Sequence, residues 1–327
     1  MHFEIPKKVE IIINTLEEAG FEAYAVGGCV RDALLGRTPN DWDITTSAKP
    51  EQVKVLFHRT VDTGIAHGTV TVLLEKDGFE VTTYRVDGEY EDGRHPKEVT
   101  FTASLEEDLK RRDFTINAMA YNPKKGLVDL FEGQKDLEDK VIRCVGDPLE
   151  RFTEDALRIM RAVRFLAQLG FSLEENTRKA LSVLAPNLKH VSAERIQVEL
   201  VKLLVSPHPD YLRTAYEAGI TKEFLPEFDR CMETPQNTPH HCYSVGEHIL
   251  HSLLYVQEDK VLRLTMLLHD IGKPVVRTTD KNGRDHFKMH APEGEKMAKG
   301  ILRRLKFDND TIGKVCRLIR WHDLRPT

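Results

Sequence analysis

The sequence predicts an α+β N-terminal part, built on a small mixed sheet with flanking helices, followed by an all-α remainder. Before residue 146, short alternating runs typical of strands are separated by helical stretches. After Asp147-Pro148 the apolar residues recur with helical spacing alone. The 327 residues suffice for about two or three domains. We therefore predict three, over residues 1–146, 147–230 and 231–327.

The elements of the N-terminal part follow from local signals. The first helix ends at Gly20, because glycine is favoured just past a helix C-terminus. Asp77-Gly78 is typical of a hairpin turn, and the polar, breaker-rich segment 86–104 predicts a long loop. The predicted elements are a helix over 7–19, strands over 21–30 and 41–46, a helix over 50–58, hairpin strands over 69–75 and 79–85, and strands over 118–121, 127–129 and 141–145.

The rest of the chain has helical periodicity and two changes of character. The predicted helices cover 149–169, 176–184, 193–205 and 211–218. Segment 226–239 contains several prolines, which predicts a connection between domains. Beyond it lies a helical region dense in histidine.

Composition favours a cytoplasmic protein. The five cysteines are scattered, odd in number and without a Cys-x-x-Cys pair, which is typical of reduced thiols. No run of about 18 apolar residues predicts a membrane span, and residues 1–6 lack the features of a secretory signal. The net charge of −5 excludes a uniformly basic coat but leaves a local RNA-binding face open. The oligomeric state stays open.

A glycine pair follows the apolar run of the first predicted strand. Gly27 and Gly28 come directly after the apolar run that ends at Val26. Without side chains, their N–H groups can approach a phosphate closely, and the next helix N-terminus adds a favourable dipole. Taken alone, such a pair is more often a tight turn.

Two carboxylates come shortly after this pair. Asp41 and Asp43 have the i, i+2 spacing that places both side chains on one face of a strand. Adjacent carboxylate oxygens are the ligands that Mg²⁺ uses when it also binds a triphosphate. Glu80, near the start of a later strand, is a candidate third carboxylate, although an acid there is more often simply exposed. Together with the glycine pair, these residues predict nucleotidyl transfer.

Two further clusters have the chemistry to bind a nucleotide. Arg111 and Arg112 precede Asp113 and Asn117, a set suited to phosphate and a ribose hydroxyl. From spacing alone, a helix C-terminus whose dipole suits the cations is the better interpretation. The second cluster recurs every three residues on one predicted helix face and comprises Asp155, Arg158, Arg161 and Arg164.

The second cluster contains an acceptor and donors that can read a base. A carboxylate only accepts hydrogen bonds and a guanidinium only donates them. An Asp/Arg pair therefore complements the amino group and ring acceptor that cytosine and adenine share. It rejects uracil and guanine, whose carbonyl would face the carboxylate. The alternative is a solvated helix with salt bridges.

The phrase from Gly27 to Asp43 resembles the signature of polymerase-β-like nucleotidyltransferases, in the branch of bacterial tRNA nucleotidyltransferases (CCA-adding enzymes) and poly(A) polymerases. The Arg-Arg-Asp-Phe-Thr-x-Asn-Ala and Glu-Asp-x-x-Arg motifs agree with that branch in order and spacing. The resemblance implies two Mg²⁺ ions, CTP and ATP as substrates and the tRNA 3′ end as partner. The loop over 86–104, with segment 92–96 inside it, resembles the family's flexible loop needed when specificity moves from C to A.

The resemblance also implies roles for single residues. It gives triphosphate binding to Gly27, Gly28, Arg31 and Arg112, metal binding to Asp41 and Asp43, ribose recognition to Asp113, base choice to Asp155 and Arg158, and nucleotide contacts to Arg111, Asn117, Arg161 and Arg164.

The C-terminal histidines resemble the HD domain of metal-dependent phosphohydrolases. The pattern comprises His248, His269-Asp270, His290 and His322-Asp323. Imidazole combined with carboxylate suits a transition metal rather than Mg²⁺ alone. A buried His-Asp pair can also be a hydrogen-bonded core pair without metal. Because Asp323 is four residues from the last residue, and the family continues with helices that grip tRNA, we expect a truncated C-terminus.

Several alternatives remain at this point. A poly(A) polymerase shares the first two motifs, and an A-adding enzyme would keep the loop. A metal phosphohydrolase with a silent N-terminal part belongs to another class, as does a non-catalytic RNA-binding module. Retention of Asp41 and Asp43 beside Arg111-Arg112-Asp113 speaks against the last two.

Overall fold

A computed structural model describes residues 2–88, 99–237 and 243–324. It divides the chain into two compact units, one ending at Asp155 and the other beginning at Ala156. The division into three domains therefore stays a prediction. Among the described helices, none is long and apolar enough to cross a lipid bilayer.

The first unit is a seven-stranded mixed sheet with helices on both faces, as the sequence predicts. Its strand order is β3-β4-β5-β2-β1-β8-β9, with β2 and β5 parallel and the other neighbours antiparallel. Its elements are α1 Lys7–Glu18, β1 Ala23–Val26, α2 Gly28–Leu34, β2 Asp43–Thr46, α3 Pro50–Leu56, β3 Thr60–Gly64, β4 Thr69–Leu74, β5 Asp77–Thr83, β6 Arg85–Asp87, β7 Val99–Phe101, α4 Leu105–Lys110, β8 Ala120–Asn122, β9 Gly126–Val128, α5 Gly133–Glu138, β10 Val141–Ile142 and α6 Pro148–Glu154.

Each face of this sheet packs against its own helices. On one face, Ile13 and Leu16 of α1 pack with Ile44 of β2 and Val81 of β5. On the other, Leu109 of α4 packs against alternate side chains of β1 and β8. Since side chains alternate along a strand, Asp43 lies on the α4 face, opposite to its neighbour Ile44. The sheet thus presents the end of β2 on the side where α4 lies.

The second unit is helical, again as predicted. Its elements are α7 Leu157–Leu169, β11 Ser172–Leu173, α8 Glu175–Leu184, α9 Ala193–Leu204, α10 Leu212–Glu217, α11 Thr221–Phe224, α12 Pro226–Met232, α13 Val245–Leu253, α14 Lys260–Leu268, α15 Lys273–Val276, β12 Thr278–Thr279, β13 Asp285–His286, α16 His290–Arg304 and α17 Asn309–Trp321. Four of its helices begin at capping side chains, Glu174, Ser244, Asp259 and Asp308, each of which accepts a hydrogen bond from a backbone N–H in the first turn.

Several local predictions are wrong. The single helix over 149–169 is two helices, because Asp155 is extended (φ −140°, ψ 104°) between α6 and α7. The hairpin turns at Glu75 (φ 56°) and Lys76, while Asp77-Gly78 already belongs to β5. Helix α12 lies within the segment predicted as a connection.

The predicted loop over 86–104 also needs correction. Strands β6 and β7 pair antiparallel at its two ends, with Arg85 opposite Phe101. Residues 89–98 of this loop, which include segment 92–96, lie outside the described residues. Strand β3 is a further addition, and its exposed side chains explain why no apolar alternation indicated it.

Candidate nucleotide and metal sites

The glycine pair forms the predicted turn from a strand to a helix, but β1 ends at Val26 and α2 begins at Gly28, so the predicted strand over 21–30 is too long. Gly27 has φ 81° and ψ −130°, a conformation that a side chain strongly disfavours. A Cβ at Gly27 would lie 3.3 Å from Nη1 of Arg112, and one at Gly28 would lie 3.5 Å from Nη2 of Arg31. The missing side chains therefore make room for two guanidinium groups at the turn. The structure brings together all four residues predicted to bind the triphosphate.

A chain of hydrogen bonds connects Arg31 to the second motif. Nη1 of Arg31 donates to Oδ1 of Asn117 at 2.6 Å, and Nδ2 of Asn117 donates to Oδ1 of Asp113 at 3.2 Å. These two bonds fix the orientation of the Asn117 amide, since one oxygen accepts and one nitrogen donates. Arg31 also pairs with Asp32, at 2.9 Å. Three residues of two separate motifs therefore form one polar network.

The carboxylates lie at the open end of β2. The strand begins at Asp43, so Asp41 precedes it, contrary to the predicted strand over 41–46. In the parallel pair, Ile44 lies opposite Val81, which places Asp43 beside Glu80 on the adjacent strand. Loss of solvation raises the pKa of Asp43, as do the nearby charges of Glu80 and Asp41, while Arg112 lowers it. Negative charge therefore accumulates here, and a divalent cation would relieve it.

The base-reading residues fall on both sides of the unit boundary. Asp155 follows α6 in the first unit, whereas Arg158, Arg161 and Arg164 lie on α7 in the second. The predicted single stripe on one helix is thus wrong for Asp155, because the chain is extended there. Pairing of Asp155 with Arg158 as a base reader stays a prediction.

Arg164 has a contact that the sequence did not indicate. Its guanidinium is buried, forms an ion pair with Glu199 of α9 and donates to Gln168 at 2.9 Å. It also stacks over the ring of Phe165, 4.0 Å from the centroid. These contacts join α7 to α9. A role for Arg164 in nucleotide binding stays a prediction beside this structural one.

The C-terminal histidines converge on one buried carboxylate. Two groups of possible metal ligands share Asp270: one adds His248 and His269, and the other adds His290 and His322. Oδ2 of Asp270 lies 3.5 Å from His248 Nε2 and 3.3 Å from His269 Nε2. Oδ1 lies 3.5 Å from His290 Nε2 and 3.7 Å from His322 Nε2. Asp323 is exposed and belongs to neither group, although it was predicted as a ligand.

Helix ends orient three of these rings. Nδ1 of His269, His290 and His322 lies 2.7, 2.9 and 2.7 Å, respectively, from a backbone carbonyl oxygen. Because a carbonyl only accepts, Nδ1 carries a proton in each ring, and Nε2 faces the centre, where it offers a lone pair when the ring is neutral and donates to Asp270 when the ring is protonated. Nε2 of His290 and Nε2 of His322 are 3.2 Å apart. Two such lone pairs repel unless a proton or a metal ion lies between them.

A buried lysine completes this site. Nζ of Lys273 lies 2.8 Å from Oδ2 of Asp270 and donates to Gln236 at 3.0 Å. Burial alone would raise the pKa of Asp270, but His269, His322 and Lys273 hold it well below its ordinary value. Asp270 is therefore ionised and already compensated. Burial lowers the pKa of His290, whereas Asp270 and the carbonyl of Ile319 overcome the same effect and raise the pKa of His322.

Sequence reasoning missed two buried charged residues at these sites. Lys273 belongs to the second, and Asp108 lies beneath the first, where it contacts Arg111 and Arg112. Spacing contained a signal for Asp108, since residues three and four apart on a helix are neighbours and an acid there faces both arginines.

Comparisons with known proteins match three segments of the chain to known families. Residues 23–143 match the poly A polymerase head domain, 170–232 the probable RNA and SrmB-binding site of polymerase A, and 239–327 the HD domain. The CCA-adding enzyme of Leuconostoc mesenteroides is 60% identical over 194 residues, which are 59% of this chain and 48% of that protein. That of Lactobacillus helveticus is 53% identical over 217 residues, 66% of this chain and 54% of that protein. The chain thus spans about half the length of the curated relatives it matches.

A solved structure extends the match along the chain. The Bacillus stearothermophilus CCA-adding enzyme, in complex with CTP, superposes with a TM-score of 0.76 at 34% identity. The superposition covers 98% of this chain and 71% of that one. At this identity and coverage the likeness extends beyond the fold. The chain therefore belongs to the family of the CCA-adding enzymes.

Proposed function

We propose that this protein transfers nucleotides from CTP and ATP to the 3′ end of tRNA and so builds or repairs the CCA terminus. The observation that carries the proposal is the convergence, at one end of the sheet, of the Gly27-Gly28 turn, the guanidinium of Arg112 and the carboxylates around Asp43. Family membership supports the same reaction. Among the described residues, four cysteines are buried free thiols, which favours the cytoplasm as the location of the protein.

The N-terminal unit would bind the triphosphate through its cationic groups. The guanidiniums of Arg31 and Arg112 lie beside the glycine turn, and guanidinium suits phosphate oxygens because it donates in pairs. The N–H of Gly27 already donates to the carbonyl oxygen of Met119 at 3.1 Å. Asp113 and Asn117 would contact the ribose. In the reaction, the primer 3′-hydroxyl oxygen forms a bond to the α-phosphorus, and the bond from that phosphorus to pyrophosphate breaks.

The carboxylates would hold two Mg²⁺ ions. Asp41, Asp43 and Glu80 offer oxygen ligands, and the crowding of negative charge at Asp43 fits a divalent cation. When bound, the ions lower the pKa of the primer hydroxyl and neutralise the departing pyrophosphate. The three carboxylate side chains would in this way fix the position of the primer 3′-hydroxyl relative to the triphosphate.

The histidine cluster would bind a transition metal in addition. The donor set of imidazole Nε2 atoms and one carboxylate suits such an ion better than Mg²⁺. The orientation of three rings by backbone carbonyls supports this use, since ligating histidines commonly donate their other N–H in this way.

The experiment is incorporation of labelled CTP and ATP, with Mg²⁺, into tRNA transcripts that end at the discriminator base, at C and at CC. UTP and GTP serve as controls, and Asp41→Ala with Asp43→Ala as the inactive reference, with a loss of at least about 1,000-fold. Addition of both nucleotides with a stop at CCA supports the proposal. Addition of ATP alone contradicts it, and product length then separates an A-adding enzyme from a poly(A) polymerase.

A further inference from the structure

Asp108 is a fully buried carboxylate that none of the predicted roles uses. It lies on α4 with no exposed surface. Its oxygens accept hydrogen bonds from the Thr45 hydroxyl at 2.9 Å, the Arg85 N–H at 3.3 Å, Nε of Arg111 at 3.1 Å and Nη2 of Arg112 at 3.4 Å. Four donors from separate parts of the first unit thus meet at one side chain.

The bond to Thr45 connects Asp108 to the carboxylate strand. Thr45 and Asp43 are two residues apart on β2, so both side chains lie on the same face of the sheet. Ile44 between them points to the opposite face, into the core beneath α1. The hydrogen bond from Thr45 therefore fixes β2 next to its metal-binding end.

The bonds to the arginines connect Asp108 to the phosphate-binding turn. Nη1 of Arg112 lies near the turn, and Nη2 of the same guanidinium donates to Asp108. The buried Nε of Arg112 has no hydrogen-bond partner among the described residues. Asp108 shares its one charge between Arg111 and Arg112, and Arg111 also pairs with Asp87 at 3.8 Å, so Arg112 is oriented by Asp108 and keeps part of its charge. Positive charge is left for a phosphate.

We propose that Asp108 is a positioning residue of the nucleotide site: its buried carboxylate holds Arg112 at the Gly27 turn and, through Thr45, holds the strand that carries Asp43 in register with it. This inference rests on the proposed function. An amide does not replace the carboxylate, because its NH₂ group would face a guanidinium and one oxygen cannot serve all four donors.

The test compares Asp108→Asn with Glu106→Gln, a matched loss of one negative charge at an exposed position of the same helix. We expect Asp108→Asn to raise the KM for CTP and ATP by about 10-fold or more and to leave the KM for tRNA unchanged. Glu106→Gln should stay within about 2-fold of wild type. Affinities for CTP and CMP, titrated in the presence of Mg²⁺, add a second readout. Misplaced phosphate groups weaken CTP binding more than CMP binding, whereas general loosening of the fold weakens both alike.

Thr45→Val covers the case in which Asp108→Asn does not fold. It removes one hydrogen bond with little change of shape, and we expect a higher Mg²⁺ requirement with an unchanged CTP affinity. A folded Asp108→Asn protein with wild-type KM and CTP affinity would overturn the inference, as would a Thr45→Val protein with the wild-type Mg²⁺ requirement. Failure of the proposed function is distinct, because wild type would then incorporate no nucleotide while the CTP titrations still test Asp108.

Discussion

The two candidate metal sites shift the pKa of a central carboxylate in opposite directions. Asp43 lies exposed at a strand end among other carboxylates, and its pKa is raised. Asp270 is buried among imidazoles beside Lys273, and its pKa is lowered. At the first site, Asp43 is repelled by Glu80 and Asp41 unless a cation binds. At the second site, the negative charge of Asp270 is already balanced by neighbouring residues of the protein.

Each site contains a glycine, Gly27 at the first and Gly272 at the second, and the two are required for different reasons. Gly27 is needed for its backbone conformation, because φ is 81°, and the nearest side-chain atom to a Cβ there belongs to a flexible arginine. Gly272 has an ordinary φ of −81°, but a Cβ there would lie 2.5 Å from the carbonyl oxygen of His290. One glycine shapes a turn and the other allows two backbone segments to touch. The glycine of the first site leaves space for a guanidinium group, whereas the glycine of the second site allows close packing of the backbone.

The largest effect is expected from breaking the compensation at Asp270. Lys273→Met removes the ammonium from a buried pair and leaves the carboxylate behind, which costs about 3 kcal/mol of unfolding free energy. Added Co²⁺ or Zn²⁺ should restore part of this loss, because an ion can replace the missing charge. Urea unfolding in a Trp42→Phe background measures it, since Trp321 then reports on the second unit alone.

The control for this variant is Lys314→Met, which removes an exposed lysine paired with Asp310 in the same unit. It should change stability little, as is usual for exposed pairs. Equal stability of Lys273→Met and wild type would mean that the histidines alone compensate Asp270. An absent response to Co²⁺ and Zn²⁺ would argue against a metal at this site.

The contrast between sites also explains what the sequence predicts. Local signals in the sequence indicate most strands along the chain, the glycine turn and the histidine pattern. The structure confirms the mixed sheet and the helical remainder. Asp108 meets Thr45, a residue 63 positions away, and no local pattern encodes such a contact. The break at Asp155 lies within an unbroken helical periodicity, so spacing could not reveal it. Contacts between buried polar residues that are distant in sequence are thus the features that only the three-dimensional structure reveals.

A smaller effect is expected from adding one methyl group at each glycine. Gly272→Ala must displace backbone that carries His290, so we expect a loss of about 2 kcal/mol in the second unit and weaker Co²⁺ binding. Gly27→Ala strains a backbone conformation (φ 81°, ψ −130°) that is nearly exclusive to glycine, by about 1–3 kcal/mol, and should abolish most nucleotide incorporation by moving Arg112. Unfolding and incorporation assays on both variants separate the two outcomes. Reversed behaviour, with Gly27→Ala active and Gly272→Ala stable, would contradict the contrast.

The smallest effect has the opposite sign. Asp43→Asn should stabilise the metal-free first unit by a few tenths of a kcal/mol, discounted because the side chain is exposed. A raised pKa in the folded state means that ionisation of Asp43 disfavours folding, so the gain is present above its folded pKa and vanishes below its ordinary value. Mg²⁺ should stabilise wild type and leave the variant nearly unchanged. Urea unfolding in a Trp321→Phe background, followed by Trp42 at pH 7 and pH 3, measures both effects. A variant less stable than wild type without Mg²⁺ would mean that hydrogen bonds to the carboxylate outweigh the repulsion from Glu80 and Asp41.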